Sequence, residues 1–323
     1  MSKIFSLDEI KRIFKRGQPK STLPGLCSIS FSTEGLALAY VLPSVKGPVL
    51  QHCQFVACAI TEQLSVLTSL VAEHNLQGVA CSWLLQPADY KILSVAALPV
   101  EPSEMAAALS WNIKDLIDFP VADAAIDYFA APAATTIGNK PNNLNVVVTH
   151  RNQLQKIAEV VQASGLILTT IDIPELALRN CAMLFDKEEK GLTLIWTNGS
   201  DNLLVIVRQG CLYHSRNIIQ PNLTLLAAEI TATLNESQEK LLERFILDVQ
   251  RSMDYYQSQL HQPALTKMLI TLKQPQLLEY LTANLVGKVE ELDLRSVLTT
   301  QLELNEELQT HCLAVIGGAL REI

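Results

Sequence analysis

A pattern that occurs twice limits what this chain can fold into. Gly191 opens Leu192-Thr-Leu-Ile-Trp196, an apolar run with β-branched residues. Leu203-Leu-Val-Ile-Val207 repeats that character, and Leu212 to Ile219 then alternates. Asn198-Gly199-Ser200-Asp201-Asn202 separates the first two runs and Gln209-Gly210 the next two; Asn and Gly tolerate the positive φ of tight hairpin turns. Three strands joined by short turns predict a meander, and runs this apolar predict cover on both faces. The same order appears earlier. Gly25 opens Leu26 to Phe31, Ser32-Thr33-Glu34-Gly35 supplies a turn, and Leu36 to Val41 follows. The two glycines stand 166 residues apart in a chain of 323. A half-length repeat whose copies both begin with a meander predicts two like-folded α/β domains.

Length agrees, since one core rarely serves 323 residues. Apolar residues make up 49%, enough for large cores, yet no run approaches the roughly 20 residues of a bilayer-spanning helix. The N-terminus is basic but its apolar residues are scattered, unlike a signal peptide, so the expectation is a soluble, cytoplasmic protein. Cys27, Cys53, Cys58, Cys81, Cys181, Cys211 and Cys312 mostly sit inside apolar runs with no CxxC pair, the pattern of buried thiols in a reducing compartment. His52-Cys53 and His311-Cys312 lack the ligand spacing of zinc sites, and no metal site is expected.

The net charge of −8 hides an asymmetry. Residues 1 to 20 hold Lys3, Lys11, Arg12, Lys15, Arg16 and Lys20 against Asp8 and Glu9, a balance of +4 that leaves −12 for the remainder. An acidic body argues against nucleic acid as partner. The basic tail interleaves Ile4, Phe5, Leu7, Ile10, Ile13 and Phe14, which fits either a peripheral contact with the anionic inner membrane or a solubilising start.

From Ser21 the chain reads as α/β. After the first meander come a strand at 48–59, a helix at 61–74 and a strand at 78–85. A different module interrupts: a strand at 90–98, a helix from 101 to 117 stopped by Phe119-Pro120, and strands at 125–131 and 144–149. A helix at 153–163 ends at Gly165, a strand follows at 166–171, and Pro174 starts a helix running to Phe185. Asp186-Lys-Glu-Glu-Lys190 is the domain hinge. After the second meander come helices at 223–234 and 239–260, the latter with Leu242, Phe245, Ile246, Val249, Met253 and Tyr256 on one face. A strand at 267–272, a helix at 276–285, a strand at 288–292 and a helix from His311 to Arg321 complete the chain; Gly317-Gly318 marks a close backbone approach.

Five segments, taken in order, resemble PilM-type pilus assembly proteins. Trp111-Asn-Ile-Lys-Asp-Leu-Ile-Asp-Phe-Pro120 is similar to that family's Trp-Glu…Ile-Pro-Phe-Pro segment, and Ile171-Asp-Ile-Pro-Glu-Leu-Ala-Leu178 to its Asp-(Val/Ile)-Glu…Leu-Ala-Leu run. Val205-Ile-Val-Arg-Gln-Gly210 looks like Val-Val-Arg-Asp-Gly, and Arg251-Ser-Met-Asp-Tyr-Tyr256 like the Arg-Ser-Leu-Asp-Tyr-Tyr signature. Ala314-Val-Ile-Gly-Gly-Ala-Leu-Arg321 looks like the terminal Ala-Ile-Gly-Leu-Ala-Leu-Arg. The divergent first strand and basic N-terminus look most like the MshI branch of mannose-sensitive haemagglutinin (MSHA) pilus systems. The resemblance covers about residues 22 to 321. It implies an actin-like ATPase fold related to FtsA: two ribonuclease-H-like domains, at 21–187 and 188–310, an FtsA-type inserted subdomain at about 86–162, and a C-terminal helix at 311–323 returning to domain 1. It also implies a place beneath the inner membrane, binding the cytoplasmic tail of a PilN-like or MshJ-like inner-membrane protein.

The same resemblance raises the nucleotide question. A triphosphate cleft needs a Gly-containing turn whose amides meet phosphate, and carboxylates that hold Mg²⁺. Where the family has Asp-Ile-Gly-Ser-Ser, this chain has Ser28-Ile-Ser-Phe-Ser32; Ser28 replaces Asp, Ser30 replaces Gly, and Phe31 adds bulk beside Ser32. Where the family has Asp-Ile-Gly-Ala, it has Trp196-Thr-Asn-Gly199, although Asn198, Gly199 and Ser200 still form a turn able to meet an anion. The adenine-side glycines are replaced by Thr271-Leu-Lys-Gln-Pro275. The expectation is a scaffold with a degenerate nucleotide site, no catalytic residue, no metal and no cofactor. The alternative is a divergent ATPase, and only under it do ATP and Mg²⁺ enter.

Other constellations are bland. Asp115 and Asp118 read as a solvated face, and His214 and Ser215 are strand neighbours facing opposite ways. Trp111, Ile113 and Phe119 read either as core of the inserted module or as the lining of a peptide groove, and they are the partner-binding candidates.

Overall fold

The computed structural model describes residues 21, 23–101, 104–132, 143–198, 201–219, 221–230 and 233–321. The basic tail, and with it the expected membrane contact, lies outside the described residues, as do Gly199 and Ser200.

The strands in chain order are β1 (Leu26–Phe31), β2 (Gly35–Leu42), β3 (Val49–Ala57), β4 (Ala80–Leu84), β5 (Tyr90–Ala96), β6 (Ala124–Ala130), β7 (Asn143–His150), β8 (Ile167–Asp172), β9 (Leu192–Asn198), β10 (Asp201–Arg208), β11 (Cys211–Ile218), β12 (Lys267–Ile270), β13 (Lys288–Glu291) and β14 (Thr299–Thr300). The helices are α1 (Gln63–Glu73), α2 (Met105–Ile113), α3 (Arg151–Ala163), α4 (Pro174–Phe185), α5 (Leu223–Glu229), α6 (Glu236–Asp254), α7 (Pro275–Asn284) and α8 (Glu306–Ala319). The first sheet has the order β14-β3-β2-β1-β4-β8 and the second β11-β10-β9-β12-β13. In each, the meander strands pair antiparallel and the first of them then pairs parallel with a later strand. The halves therefore share one topology, which the repeated meanders required.

A steric device repeats with it. Gly25 and Gly191 have φ of +82° and +85°. A Cβ on Gly25 would lie 2.6 Å from the carbonyl oxygen of Val41, and one on Gly191 3.0 Å from that of Val207. Each glycine thus sits against the end of the neighbouring strand, where a side chain would be strained and would collide.

The two sheets face each other across two helices. α8 packs on β1, β2, β3 and β4, α4 packs on β9, β10 and β11, and α4 and α8 pack on one another. A Cβ on Gly317 would fall inside the carbonyl oxygen of Ala177, so only glycine permits this approach. Asn180 Nδ2 donates to the carbonyl of Gly317 at 2.8 Å, and Cys181 Sγ to that of Leu313 at 3.4 Å. One apolar core consequently runs from Leu38 in the first sheet through Ile316 and Leu178 to the second sheet, where Leu194, Leu203 and Val205 complete it.

The other face of the second sheet builds a separate core with α5, α6 and α7, so β9 is covered on both sides. Leu242, Phe245, Ile246, Val249, Met253 and Tyr256 are all buried there.

The interrupting module is a three-stranded antiparallel sheet, β5-β7-β6, with α2 on one face. Its other face contributes Ala125, Phe129 and Val147 to the core of the first domain. Three expected boundaries move. α3, expected inside the insertion, buries Leu154, Ile157, Ala158 and Val161 in the core of domain 1, so the inserted sheet ends at His150. The return to domain 1, expected at His311, comes earlier: Leu294, Leu298 and Leu304 already lie in that core, and β14 pairs with β3. The helix expected to run to Leu234 stops at Glu229. Among the described residues no helix is long and apolar enough to cross a membrane.

The glycine geometry gives a direct test. Gly191→Ala combines left-handed strain of about 1–2 kcal/mol with overpacking of about 1–3 kcal/mol. Gly47 also has positive φ, +110°, but a Cβ there meets nothing within 4 Å, so Gly47→Ala carries strain alone. Urea denaturation should show Gly191→Ala and Gly25→Ala losing more stability than Gly47→Ala; equal losses would remove the role assigned to the collision.

Candidate functional site

Of the residues expected at the nucleotide loops, Ser30, Ser32 and Asn198 reach one space and Ser28 does not. Ser30 and Ser32 at the end of β1, and Trp196 and Asn198 at the end of β9, line the cleft between the halves together with Phe55, Gln86, Pro174, His311 and Val315. Ser28 does not reach it. It is fully buried, and its hydroxyl lies against Gly318 of α8. Ser30 is engaged as well, its Oγ accepting from Gln86 Nε2 at 2.7 Å. Phe31, expected to add bulk to the loop, packs edge-on against Trp83 with ring centroids 4.6 Å apart.

The cleft is filled from both sides. Trp196 reaches from β9 to α8 and donates through Nε1 to the carbonyl of Thr310 at 2.8 Å. Phe55 and His311 stack beside it, centroids 4.1 Å apart and nearly coplanar at 8°. The space left measures about 30 Å³. Small-molecule clefts run to about 300–1,000 Å³. Among the described residues no aspartate or glutamate lines the cleft, and no group of three or more His, Cys, Asp or Glu side chains could hold a metal ion.

The polar chemistry of the interior lies elsewhere, on the stretch from Asp172 to Asn180. Asp172 at the end of β8 and Arg321 beyond α8 form a fully buried ion pair, which ties the C-terminal end of the chain to the first sheet. Asp172 Oδ1 also accepts from the backbone N–H of Ile173 at 2.9 Å. Burial still raises its carboxyl above the usual range, against the lowering effect of Arg321. One turn on, Glu175 accepts from the Tyr90 hydroxyl at 2.6 Å, linking α4 to the first strand of the insertion. Burial pushes the Glu175 carboxyl up to about 7, while that hydrogen bond works the other way. A further turn on, Arg179 donates to Asn180 Oδ1 through Nε at 3.2 Å and Nη2 at 2.8 Å. Sequence reasoning used the Asp172 segment as a family marker and overlooked its charges; Asp172 at a strand end, with Glu175 and Arg179 one turn apart on the helix that follows, all among apolar residues, were the available signal.

Beside Arg179 lies the larger cavity, about 330 Å³, lined by Phe129 and Ala130 of β6, Leu176, Arg179 and Met183 of α4, and Gly210, Cys211 and Leu212 at the β10–β11 turn. It joins the insertion, the helix layer and the second domain. The partner-binding candidates are elsewhere. Of the two expected readings, core or groove lining, Ile113 is enclosed in the core of the insertion, because α2 turns that face onto the sheet. Phe119 stacks on His150 at 3.7 Å. Trp111 is 75% exposed, with Lys114 Nζ 5.6 Å from its ring centre. Asp118 pairs with Lys91 at 3.0 Å on the surface.

No protein-family model and no curated protein sequence matches this chain. Solved structures do. A chain of the PilM-PilN type IV pilus biogenesis complex superposes with a TM-score of 0.65 at 16% identity, over 92% of this chain and 97% of that one. The fold is that of the actin-like ATPases. Weaker likenesses are to the cytoplasmic domain of EpsL, an inner-membrane component of the type II secretion system of Vibrio cholerae (12% identity, 92% and 95% covered, TM-score 0.49), and to a Bacteroides thetaiotaomicron protein with an actin-like ATPase fold (11% identity, 90% and 96% covered, TM-score 0.45). In actin-like terms, the filled cleft lies between the first hairpins of the two domains, and the 330 Å³ cavity lies at the junction of domain 1, its insertion and domain 2.

Glu175 gives this interior a predictable pH response. Its carboxyl is raised when folded, so the folded chain keeps a proton that the unfolded chain releases from about pH 4.5 upward. The contribution of Glu175 to stability is fully present below that point and is lost as pH rises through about 7. Glu175→Gln keeps an acceptor for Tyr90 and does not titrate. Thermal melts should show the variant gaining on the wild type between pH 5 and pH 8; a constant difference would place the titration elsewhere.

Proposed function

We propose that this chain is a binding component of a type IV pilus assembly platform, seated on the cytoplasmic side of the inner membrane, which captures the cytoplasmic tail of a PilN-like inner-membrane protein. The observation that carries this reading is the superposition, nearly end to end on both chains, with a chain of a complex that joins PilM to PilN. The finer assignment, to an MSHA-type system with an MshJ-like partner and a peripheral lipid contact through residues 1 to 20, rests on the resemblance of the first strand and the basic tail. The tail of the partner docks on the inserted subdomain, which is the part of domain 1 that the shared topology of the halves does not account for.

In this reading the protein works by holding, not by turnover. A triphosphate and its metal bring concentrated charge, which actin-like enzymes must offset with carboxylates on the ion and amides on the oxygens. The cleft here has about 30 Å³ of free space and, among the described residues, no lining carboxylate, and an indole crosses it. Opening it would break the Trp196 hydrogen bond and unstack Phe55 from His311. These features support a pseudo-ATPase.

Two measurements test the proposal. Calorimetry with Mg-ATP should detect no binding at micromolar concentrations, and no phosphate should be released; turnover that is abolished by Asn198→Ala would instead establish a divergent ATPase. Hydrogen exchange on adding a peptide of the partner's cytoplasmic tail should show new protection within residues 90–150. Protection confined to domain 2, or none at all, would sink the docking assignment.

A further inference from the structure

The 330 Å³ cavity has an unusual floor. Arg179 is only 5% exposed, yet it lines the cavity, and among the described residues no carboxylate lies within ion-pairing distance of it. The nearby Asp172 is committed to Arg321. Among the described residues Glu175, held by the Tyr90 hydroxyl, forms no ion pair with Arg179 either. Burial lowers the pKa of Arg179, only partly countered by Asp172, as expected of a cation short of compensating charge.

The guanidinium is also held in position. Nε and Nη2 donate to Asn180 Oδ1, and Asn180 is fixed in turn by its own donation to the carbonyl of Gly317. A guanidinium has five N–H donors, and these two bonds occupy one edge. The end-on edge formed by Nη1 and Nη2 stays available, and that edge matches a carboxylate in a two-point arrangement. Around it the walls are apolar: Phe129, Leu176, Met183 and Leu212. A compact cation under an apolar chimney selects a carboxylate carried on a short aliphatic stem. Phosphate groups are larger and would bring more charge than one guanidinium offsets.

We propose that this cavity is a carboxylate-binding subsite, and that its ligand is an acidic side chain flanked by aliphatic ones on an extended peptide. The source is a peptide because β6, whose Phe129 and Ala130 form one wall, is an edge strand: among the described residues it pairs with β7 alone. An edge strand pairs with an added strand through its backbone, which leaves alternate side chains of the incoming segment to enter pockets. This assignment rests on the reading of the chain as a peptide-binding component and specifies which chemistry of the peptide is read.

The test uses the full chain and defined probes: the peptide Ac-Val-Thr-Leu-Glu-Val-Thr-NH2, its Glu-to-Gln counterpart, and 4-methylpentanoate. Two variants accompany the wild type. Arg179→Gln removes the cation; Ala130→Trp fills the cavity from an exposed position and leaves Arg179 in place, so it reports even if the first variant folds poorly. By fluorescence anisotropy and calorimetry, the Glu peptide should bind at least tenfold more tightly than the Gln peptide, and each variant should abolish that preference. Equal binding of the two peptides, a preference unchanged in Ala130→Trp, or binding of none of the probes overturns the proposal. Binding of 4-methylpentanoate without the peptide overturns the peptide source. If the partner's tail still protects residues 90–150 from exchange while these results are negative, the subsite fails and the broader function stands.

Discussion

The crossing of α4 and α8 holds the two halves of the molecule in register. Each helix caps the inner face of one sheet, so the distance between them sets the distance between the domains. Gly317 brings the helices together to the point where Ala177's carbonyl meets the backbone of α8, and Asn180 and Cys181 then bond across the crossing. At the far end of α8 the buried Asp172–Arg321 pair anchors the chain to β8. Removing one partner of such a pair is far more disruptive than the net value of the pair, typically by about 3–5 kcal/mol, because the other charge stays buried. The pair is better understood as fixing where the C-terminal helix ends than as a source of stability.

That layer also explains the cleft. With α8 pressed against both the first sheet and α4, the carbonyl of Thr310 comes within reach of β9, and Trp196 spans the gap to it. His311, one residue on, is then placed over Phe55. The residues that close the cleft therefore come from β3, β9 and α8, three elements far apart in the chain. Ser28, the position where the family pattern has an acid, is sealed beneath Gly318. A carboxylate at that depth would be desolvated and would need space that the helix already occupies.

The insertion and the second domain meet the same helix layer from another side. α4 presents Pro174 to the closed cleft and Leu176, Arg179 and Met183 to the open cavity, while Glu175 ties it to the insertion through Tyr90. One helix thus touches the cleft, the cavity and the insertion together. Its cross-element bonds are few and buried, Glu175 to Tyr90 and Asn180 to the carbonyl of Gly317, and they tie the helix to the insertion on one side and to α8 on the other.

Much of this architecture was legible in the sequence because it is local or periodic. The paired glycines at 25 and 191, the apolar alternation of the meanders and the helical stripe from Leu242 to Tyr256 each follow from backbone sterics or burial within a short window. Gly317-Gly318 announced a close approach, though not to which neighbour. Whatever depends on distant residues meeting emerged only in the folded molecule. Folding placed Ile113 in a core, α3 in domain 1 and the return of the chain at Leu294 before the last helix, since an amphipathic segment declares that it has an apolar face but not what covers it. It also paired Asp172 with Arg321 across 149 residues and left Arg179 facing a cavity. Charges in a sequence read as solvated until the fold removes the water, and that removal is a property of the packed whole.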